Sequence, residues 1–195
     1  MALKPRQKLL LAAAHELFWK FGFRKVSVED ICNQAGVSRM TFYKYYNDKF
    51  ALAKATYDME VEKGMREFEE VLNTPVDSVE KMEMILKLKA ESLNDISQEF
   101  IRDFYADEKL GLKEYIEQRT IDYWKSIIKL FQFAQEKGDF RRDFNPELLL
   151  FLSKQIITTI HDPHLIGLFG SSKAVIMEIA RLLTYGIAPN QTKSE

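Results

Sequence analysis

Residues 39–46 carry side chains whose types and helical spacing suit non-covalent contacts with a polyanion. At about 100° per residue, Phe42 and Tyr46 point to one side of a helix. The opposite side and its flanks carry cations, a hydroxyl, phenols and a thioether, which pack poorly in a core but can contact phosphates and base edges. We therefore predict a nucleic-acid-binding face formed by Arg39, Met40, Thr41, Tyr43, Lys44 and Tyr45.

The sequence shows no arrangement typical of catalysis or of a metal centre. It contains no nucleophile–base motif, no phosphate-binding loop and no metal-binding helix motif. The single cysteine, Cys32, excludes a disulfide framework and a cysteine-cluster zinc site, and its apolar surroundings predict burial. Residues 161–164 (His-Asp-Pro-His) offer metal ligands, but Pro163 disrupts helical geometry, so we interpret them as a turn at a helix end. We expect no enzymatic activity, no cofactor and no metal.

Two short helices with capping signals would position the predicted face. Ser27 and Asp30 have the spacing of a capping box, and Gly36 is placed to end the helix that they begin. Ser38 is placed to cap the next helix, which we expect to run from Arg39 to Tyr46. A separation of only Gly-Val-Ser between two such helices is typical of a helix-turn-helix.

Basic charge is concentrated around these helices. Residues 1–50 carry a net charge of +5, whereas the rest of the chain carries −6. This distribution indicates a polyanion-binding module joined to a region of different function.

Helical periodicity continues along the whole chain, and no segment shows the alternation of a strand. Besides a first helix ending near Gly22, we expect a long fourth helix to Leu72 and further helices at 76–93, 97–105, 112–137, 145–161 and 172–186. The fold class is therefore all-α with about nine helices. We divide it into a three-helix DNA-binding domain with a helix-turn-helix at 1–50 and a C-terminal helical bundle for ligand binding and dimerisation at 51–195.

Residues 27–49 closely resemble the DNA-binding signature of the TetR family. The family pattern combines a Thr or Ser, an Ile, an Ala-Gly-Val-Ser turn, a Tyr-x-Tyr/His-Phe segment and a Lys that opens the fourth helix. This chain supplies Ser27, Ile31, residues 35–38, residues 43–46 and Lys49 at those places. The resemblance covers about the first 50 residues and implies a dimeric repressor that responds to a ligand.

The resemblance also implies roles for individual positions. Tyr43 and Lys49 match positions that usually bind phosphates, and Thr41 matches one that touches a phosphate or a base. Lys44 and Tyr45 match variable positions that often read bases.

Other positions complete or modify this pattern. Met40 departs from the small residue common in the family, so we expect it to alter local base preference, for example at a thymine methyl group. Tyr46 replaces the more usual Phe, which leaves open whether its hydroxyl is satisfied internally or by phosphate. We expect Ser27, Ser38 and Arg39 to complete the DNA-binding surface.

The helix predicted at 112–137 is apolar on more than one side, which places it inside a bundle. Its aromatic side chains either fill a core or line a cavity for an apolar effector. For the cavity we expect Phe104, Tyr105, Trp124 and Phe131, with Arg119 placed to meet a single carboxylate.

The last two predicted helices carry more apolar surface than packing within one chain requires. We expect them to pair across a two-fold axis as a four-helix homodimer interface. Its predicted residues are Leu149, Ile156, Ile160, Ile176, Ile179 and Leu183. A two-fold dimer would read a pseudo-palindromic double-stranded DNA operator.

Two alternatives remain open at this point. One is a helix-turn-helix DNA-binding protein without a small-molecule effector, and the other is an enzyme or carrier whose basic N-terminal region is incidental. The N-terminus lacks the pattern of a signal peptide and no apolar stretch reaches membrane-spanning length, so we expect a cytoplasmic protein with no membrane partner.

Overall fold

The structure, a computed structural model, describes residues 3–94, 96–160 and 162–189. In this part of the chain there are ten α-helices and no strands, which confirms the all-α prediction. The helices are α1 Pro5–Lys25, α2 Val28–Ala35, α3 Arg39–Tyr45, α4 Lys49–Asn73, α5 Ser78–Ser92, α6 Gln98–Ile101, α7 Leu112–Lys137, α8 Glu147–Thr159, α9 Pro163–Phe169 and α10 Ser172–Ile187. None of the described helices combines the length and the apolar character needed to cross a membrane.

The chain divides into two compact units. The first lies within residues 1–62 and 95–117, and the second within residues 63–94 and 118–195. Two of the three boundaries fall inside helices, α4 and α7, and the third lies between α5 and α6. The first unit therefore holds α1–α3 together with the 98–106 segment, and a functional division at residue 50 stays a prediction.

An aromatic cluster forms the core of the first unit. The rings of Phe100 and Phe104 stack with their centroids 4.3 Å apart, and Trp19 lies 4.2 Å from Phe100. Phe18 and Phe23 of α1 contact the Phe104 ring as well. These contacts fix α1 against the segment that contains α6.

The helical geometry of α1 is interrupted at Gly22, which has φ 78° and ψ 171°. Beyond the interruption, the backbone N–H of Arg24 donates to the fully buried carboxylate of Asp103 at 2.9 Å. A Cβ at position 22 would lie 2.8 Å from Asp103 Oδ2 and 3.0 Å from the backbone carbon of Glu99. Both the positive φ and the close packing therefore require glycine.

The second unit has its own core and a buried ion pair. Its core includes Leu72 and Phe140, both almost fully buried. The Lys81 ammonium lies 2.7 Å from Asp139 Oδ2 and donates to the Leu72 carbonyl at 3.1 Å. Because all these groups are buried, the pair ties the end of α4 to α5 and to the turn after α7.

Two stretches differ from the sequence-based expectation. Where the sequence predicts a turn at 161–164, the structure has the start of an additional helix, α9. The Asp162 carboxylate caps this helix by accepting hydrogen bonds from the N–H groups of His164 and Leu165. His161 lies outside the described residues, as does the tail from 191 to 195. The single helix predicted at 97–105 is a short α6 followed by a π-helical turn at Arg102–Ala106.

We predict that Gly22→Ala destabilises the first unit by about 1–3 kcal/mol, because it combines a positive φ with three contacts at or below 3.0 Å. Gly64→Ala is the matched control, since Gly64 lies exposed within α4 and its Cβ would meet nothing within 4 Å. The control should stabilise the protein by roughly 0.5–1 kcal/mol. Urea unfolding measures both, and equal effects of the two substitutions would contradict the packing described at Gly22.

Candidate nucleic-acid interface

Reciprocal hydrogen bonds cap α2, as the spacing of Ser27 and Asp30 predicts. The Ser27 hydroxyl accepts from the Asp30 N–H at 3.1 Å, and the Ser27 N–H donates to Asp30 Oδ2 at 2.8 Å. The hydrogen bonds from the hydroxyl and then the N–H of Ser27 lower the pKa of Asp30, so the capping carboxylate is ionised at neutral pH. Gly36 closes the helix in the left-handed region at φ 63°.

The cap of α3 is simpler. The Ser38 hydroxyl accepts from the Thr41 N–H at 3.2 Å and lies 3.1 Å from the Thr41 hydroxyl. The hydroxyls of Ser27 and Ser38 therefore hold helix ends, and DNA contacts by these two residues stay predictions.

The inward side of α3 is apolar, as the helical wheel predicts. Phe42 is fully buried and Tyr46, the residue that ends the helix, is almost fully buried. Burial raises the pKa of Tyr46, and the neighbouring Gln7 side chain partly offsets this effect. The Tyr46 hydroxyl makes no hydrogen bond of normal geometry within the described residues.

The outward side of α3 gathers most of the predicted DNA-binding residues on one surface. Met40 is 83% exposed, and Tyr43 and Lys44 are also exposed. Thr41 and Tyr45 are half-buried. Arg39 is exposed and its Nη2 lies 3.6 Å from Glu29 Oε2, a surface ion pair between α3 and α2.

Lys49 is placed differently from the exposed lysine that a phosphate contact suggests. Its side chain is half-buried, and its Nζ donates to the carbonyls of Phe23 at 2.8 Å and Val26 at 2.6 Å. Burial lowers the pKa of Lys49, whereas the carboxylates of Asp103 and Asp30 raise it. No residue pattern indicates this arrangement, because both acceptors are backbone groups, which every residue carries.

The four residues predicted to bind a ligand fall in different units. Phe104 belongs to the first unit and has no exposed surface, so it packs in the core of that unit, and its contact with a ligand stays a prediction. Tyr105 is a half-buried residue of the same unit, and burial raises its pKa well above the usual value. Trp124 and Phe131 lie in the second unit, with their rings nearly parallel and 6.4 Å apart.

The predicted dimer residues are also placed unequally. Leu149 and Ile160 are buried within the chain itself, at 6% and 5% exposure, so they stabilise its own fold. Ile156, Ile176, Ile179 and Leu183 are partly exposed. Among the described side chains of α8 and α10, the most exposed large apolar ones are four outside the predicted interface set: Leu148, Phe151, Leu182 and Tyr185.

The described residues include no group of three or more His, Cys, Asp or Glu side chains that could hold a metal ion. Cys32 is a buried free thiol whose pKa is raised by burial.

Comparisons with known proteins agree with this geometry. Residues 10–56 match the family described as "Bacterial regulatory proteins, tetR family". The chain is 25% identical over 176 residues to the HTH-type transcriptional regulator UidR of Escherichia coli (strain K12), covering 80% of this chain and 82% of that protein.

Solved structures match the fold over nearly the whole chain. The fatty acid degradation regulator FadR from Bacillus halodurans superposes with a TM-score of 0.65 at 17% identity, covering 97% of this chain and 100% of the other. The transcriptional regulator FadR from Bacillus subtilis in complex with stearoyl-CoA superposes with a TM-score of 0.62 at 16% identity, covering 92% and 98%.

Proposed function

We propose that this chain is a cytoplasmic homodimeric repressor that an apolar effector releases from its operator. The chain is a transcriptional regulator that belongs to the TetR family of bacterial regulatory proteins. The observation that carries the DNA-binding part is the exposed surface of α3, which two capped helices hold in place. Its side chains supply positive charge, hydroxyl groups and one apolar contact on a helix of the size that enters a major groove.

Within this surface we assign different roles to neighbouring residues. Lys44 is exposed on the outward side and reads a base edge, and the Tyr43 hydroxyl contacts a phosphate. Met40 places an exposed thioether near the start of α3, where contact with a thymine methyl group would remove apolar surface from water. Arg39, held near Glu29, contributes positive charge at the edge of the surface.

A second copy of the chain is the partner for the exposed apolar side chains of α8 and α10. Leu148, Phe151, Leu182 and Tyr185 are each more than half exposed, which leaves large apolar side chains in water when the chain is alone. A contact across a two-fold axis buries the same surface on both copies. It also gives the assembly two identical recognition helices, which require an operator with inverted symmetry.

The effector site is assigned to the second unit beside α7. Trp124 is partly buried and packs next to Phe131, and Arg119 donates to the Tyr123 hydroxyl at 3.0 Å one helical turn away. An apolar ligand with a single carboxylate or similar anionic group suits this combination. The Bacillus subtilis FadR structure contains stearoyl-CoA, and we extend to this chain only the apolar character of such a ligand.

One observation favours an alternative, a DNA-binding regulator without a small-molecule effector. The Phe131 ring has four aromatic neighbours, Phe68, Trp124, Phe140 and Phe144, with centroids between 5.1 and 6.4 Å away. Phe131 is 9% exposed, so it packs in the core of the second unit. If Trp124 only completes this packing, control of the regulator comes from its abundance or from a protein partner.

Selection of bound DNA from random sequence should give an inverted repeat, and binding to it should weaken steeply with salt because phosphate contacts release counterions. Lys44→Ala should change the preferred base at one symmetry-related pair of positions, at a cost of about 1–3 kcal/mol. Lys87→Ala, at an exposed position on α5, is the control and should leave the preferred base unchanged. A selected site without inverted symmetry, or an equal loss on all sequences, would contradict these assignments.

The double substitution Phe151→Glu with Leu182→Glu should convert the dimer to a monomer, because it buries uncompensated charges at the proposed interface. Val79→Glu, at a 60% exposed position on α5, is the matched control and should leave the dimer intact. Sedimentation at micromolar concentration distinguishes the species. A monomeric wild-type protein would contradict the proposed homodimer.

Palmitate, an apolar chain with a single carboxylate, is a suitable probe of the effector site. It should lower operator affinity in an anisotropy titration by a coupling of about 1–3 kcal/mol, and operator DNA should lower the affinity for palmitate by the same factor. Trp124→Ala should reduce probe affinity and leave operator binding without probe unchanged, with Trp124→Phe as the conservative control. If no apolar probe shifts operator binding and Trp124→Ala only lowers the melting temperature, the alternative without an effector is favoured.

A further inference from the structure

Lys49 is the first residue of α4, and its ammonium reaches back to the backbone that precedes α2. Its Nζ donates to the Phe23 carbonyl at 2.8 Å and to the Val26 carbonyl at 2.6 Å. The same ammonium lies 4.1 Å from the centroid of the Phe23 ring. Two of its three N–H donors are therefore directed at the end of α1.

These two carbonyls need a donor because the capping box takes the N–H groups that a continuous helix would offer them. In an α-helix the Phe23 carbonyl would accept from Ser27 and the Val26 carbonyl from Asp30. Here the Ser27 N–H donates to the Asp30 carboxylate and the Asp30 N–H to the Ser27 hydroxyl. Lys49 supplies N–H donors to these two carbonyls, because the chain does not continue there as one helix.

The consequence is that the two ends of the helix-turn-helix are held together. Residues 27–46 lie between Val26 and Lys49, and these two residues are joined by a hydrogen bond across 23 positions of sequence. The hydrogen bond from Lys49 to Val26 therefore joins the two ends of the segment that contains α2 and α3. The charged ammonium of Lys49 is therefore directed into the first unit.

We infer that Lys49 is a positioning residue that clasps the helix-turn-helix in the orientation that reads the operator, rather than a direct ligand of phosphate. This inference rests on the proposed DNA-binding function. Specific binding needs α2 and α3 held in one geometry, whereas non-specific binding depends on the number of phosphate contacts. Loss of a clasp and loss of a phosphate ligand therefore have different signatures.

The test compares Lys49→Met with the wild type on the selected operator and on unrelated DNA over a range of salt concentrations. We expect Lys49→Met to lose at least about tenfold in operator affinity, roughly 1.4 kcal/mol. Binding to unrelated DNA and the slope of log K against log salt should stay unchanged. Lys44→Ala serves as the control from the exposed surface, since it should alter the preferred base and Lys49→Met should not.

A slope lower by about one unit, with equal losses on both DNAs, would identify Lys49 as a phosphate ligand and overturn the inference. An unchanged operator affinity would also overturn it. If Lys49→Met does not fold, Lys49→Gln replaces it, because Gln retains N–H donors without the charge. Lys49→Gln should keep most of the operator affinity, with an unchanged slope of log K against log salt. A lowered slope would contradict the positioning role. Failure of the wild type to select any DNA would reject the proposed function instead.

Discussion

Backbone polar groups at the end of α1 must be hydrogen-bonded although the helix breaks there, and this requirement organises the whole first unit. The break at Gly22 leaves the Arg24 N–H without its helical acceptor, and the buried Asp103 carboxylate takes that place. A few residues later the capping box leaves two carbonyls without donors, and Lys49 takes those places. The Asp103 carboxylate and the Lys49 ammonium, each from a distant part of the chain, thus satisfy the backbone polar groups at the end of α1.

The aromatic core follows from the same junction. Asp103 can reach the Arg24 N–H only because Gly22 has no side chain and lets the segment 98–106 approach α1 closely. That approach brings Phe100 onto Trp19 and Phe104 onto Phe18, with the rings of each pair tilted and their centroids 4.2 and 6.0 Å apart. The π-helical turn at Arg102–Ala106 places both Asp103 and Phe104 towards α1, since both are fully buried. The hydrogen bond between Asp103 and Arg24 and the packing of the aromatic rings therefore stabilise the same contact between α1 and the 98–106 segment.

Features with a local cause could be predicted from the sequence. The caps at Ser27 and Ser38 and the left-handed Gly36 depend on residues within three or four positions, so spacing alone identifies them. The burial of Phe42 and the exposure of Met40 follow from the turn angle of one helix. α9 also has a local signal, the Asp162-Pro163 pair that starts it, because Asp caps helices and Pro suits the first helical position.

Features with a distant cause could not be predicted in this way. Periodicity marks α8 as apolar on two sides but does not decide which side meets the chain's own core, and Leu149 is buried while its neighbour Leu148 is exposed. Phe104 and Trp124 are both aromatic residues in helical patterns, yet one fills the first unit's core and the other lies beside Phe131 in the second. Lys49 shows the limit most sharply, because its family position suggests a phosphate while its neighbours in space are two carbonyls and a ring. A side chain's chemistry is set by its residue type, but its role is set by the groups that the fold brings within hydrogen-bonding distance.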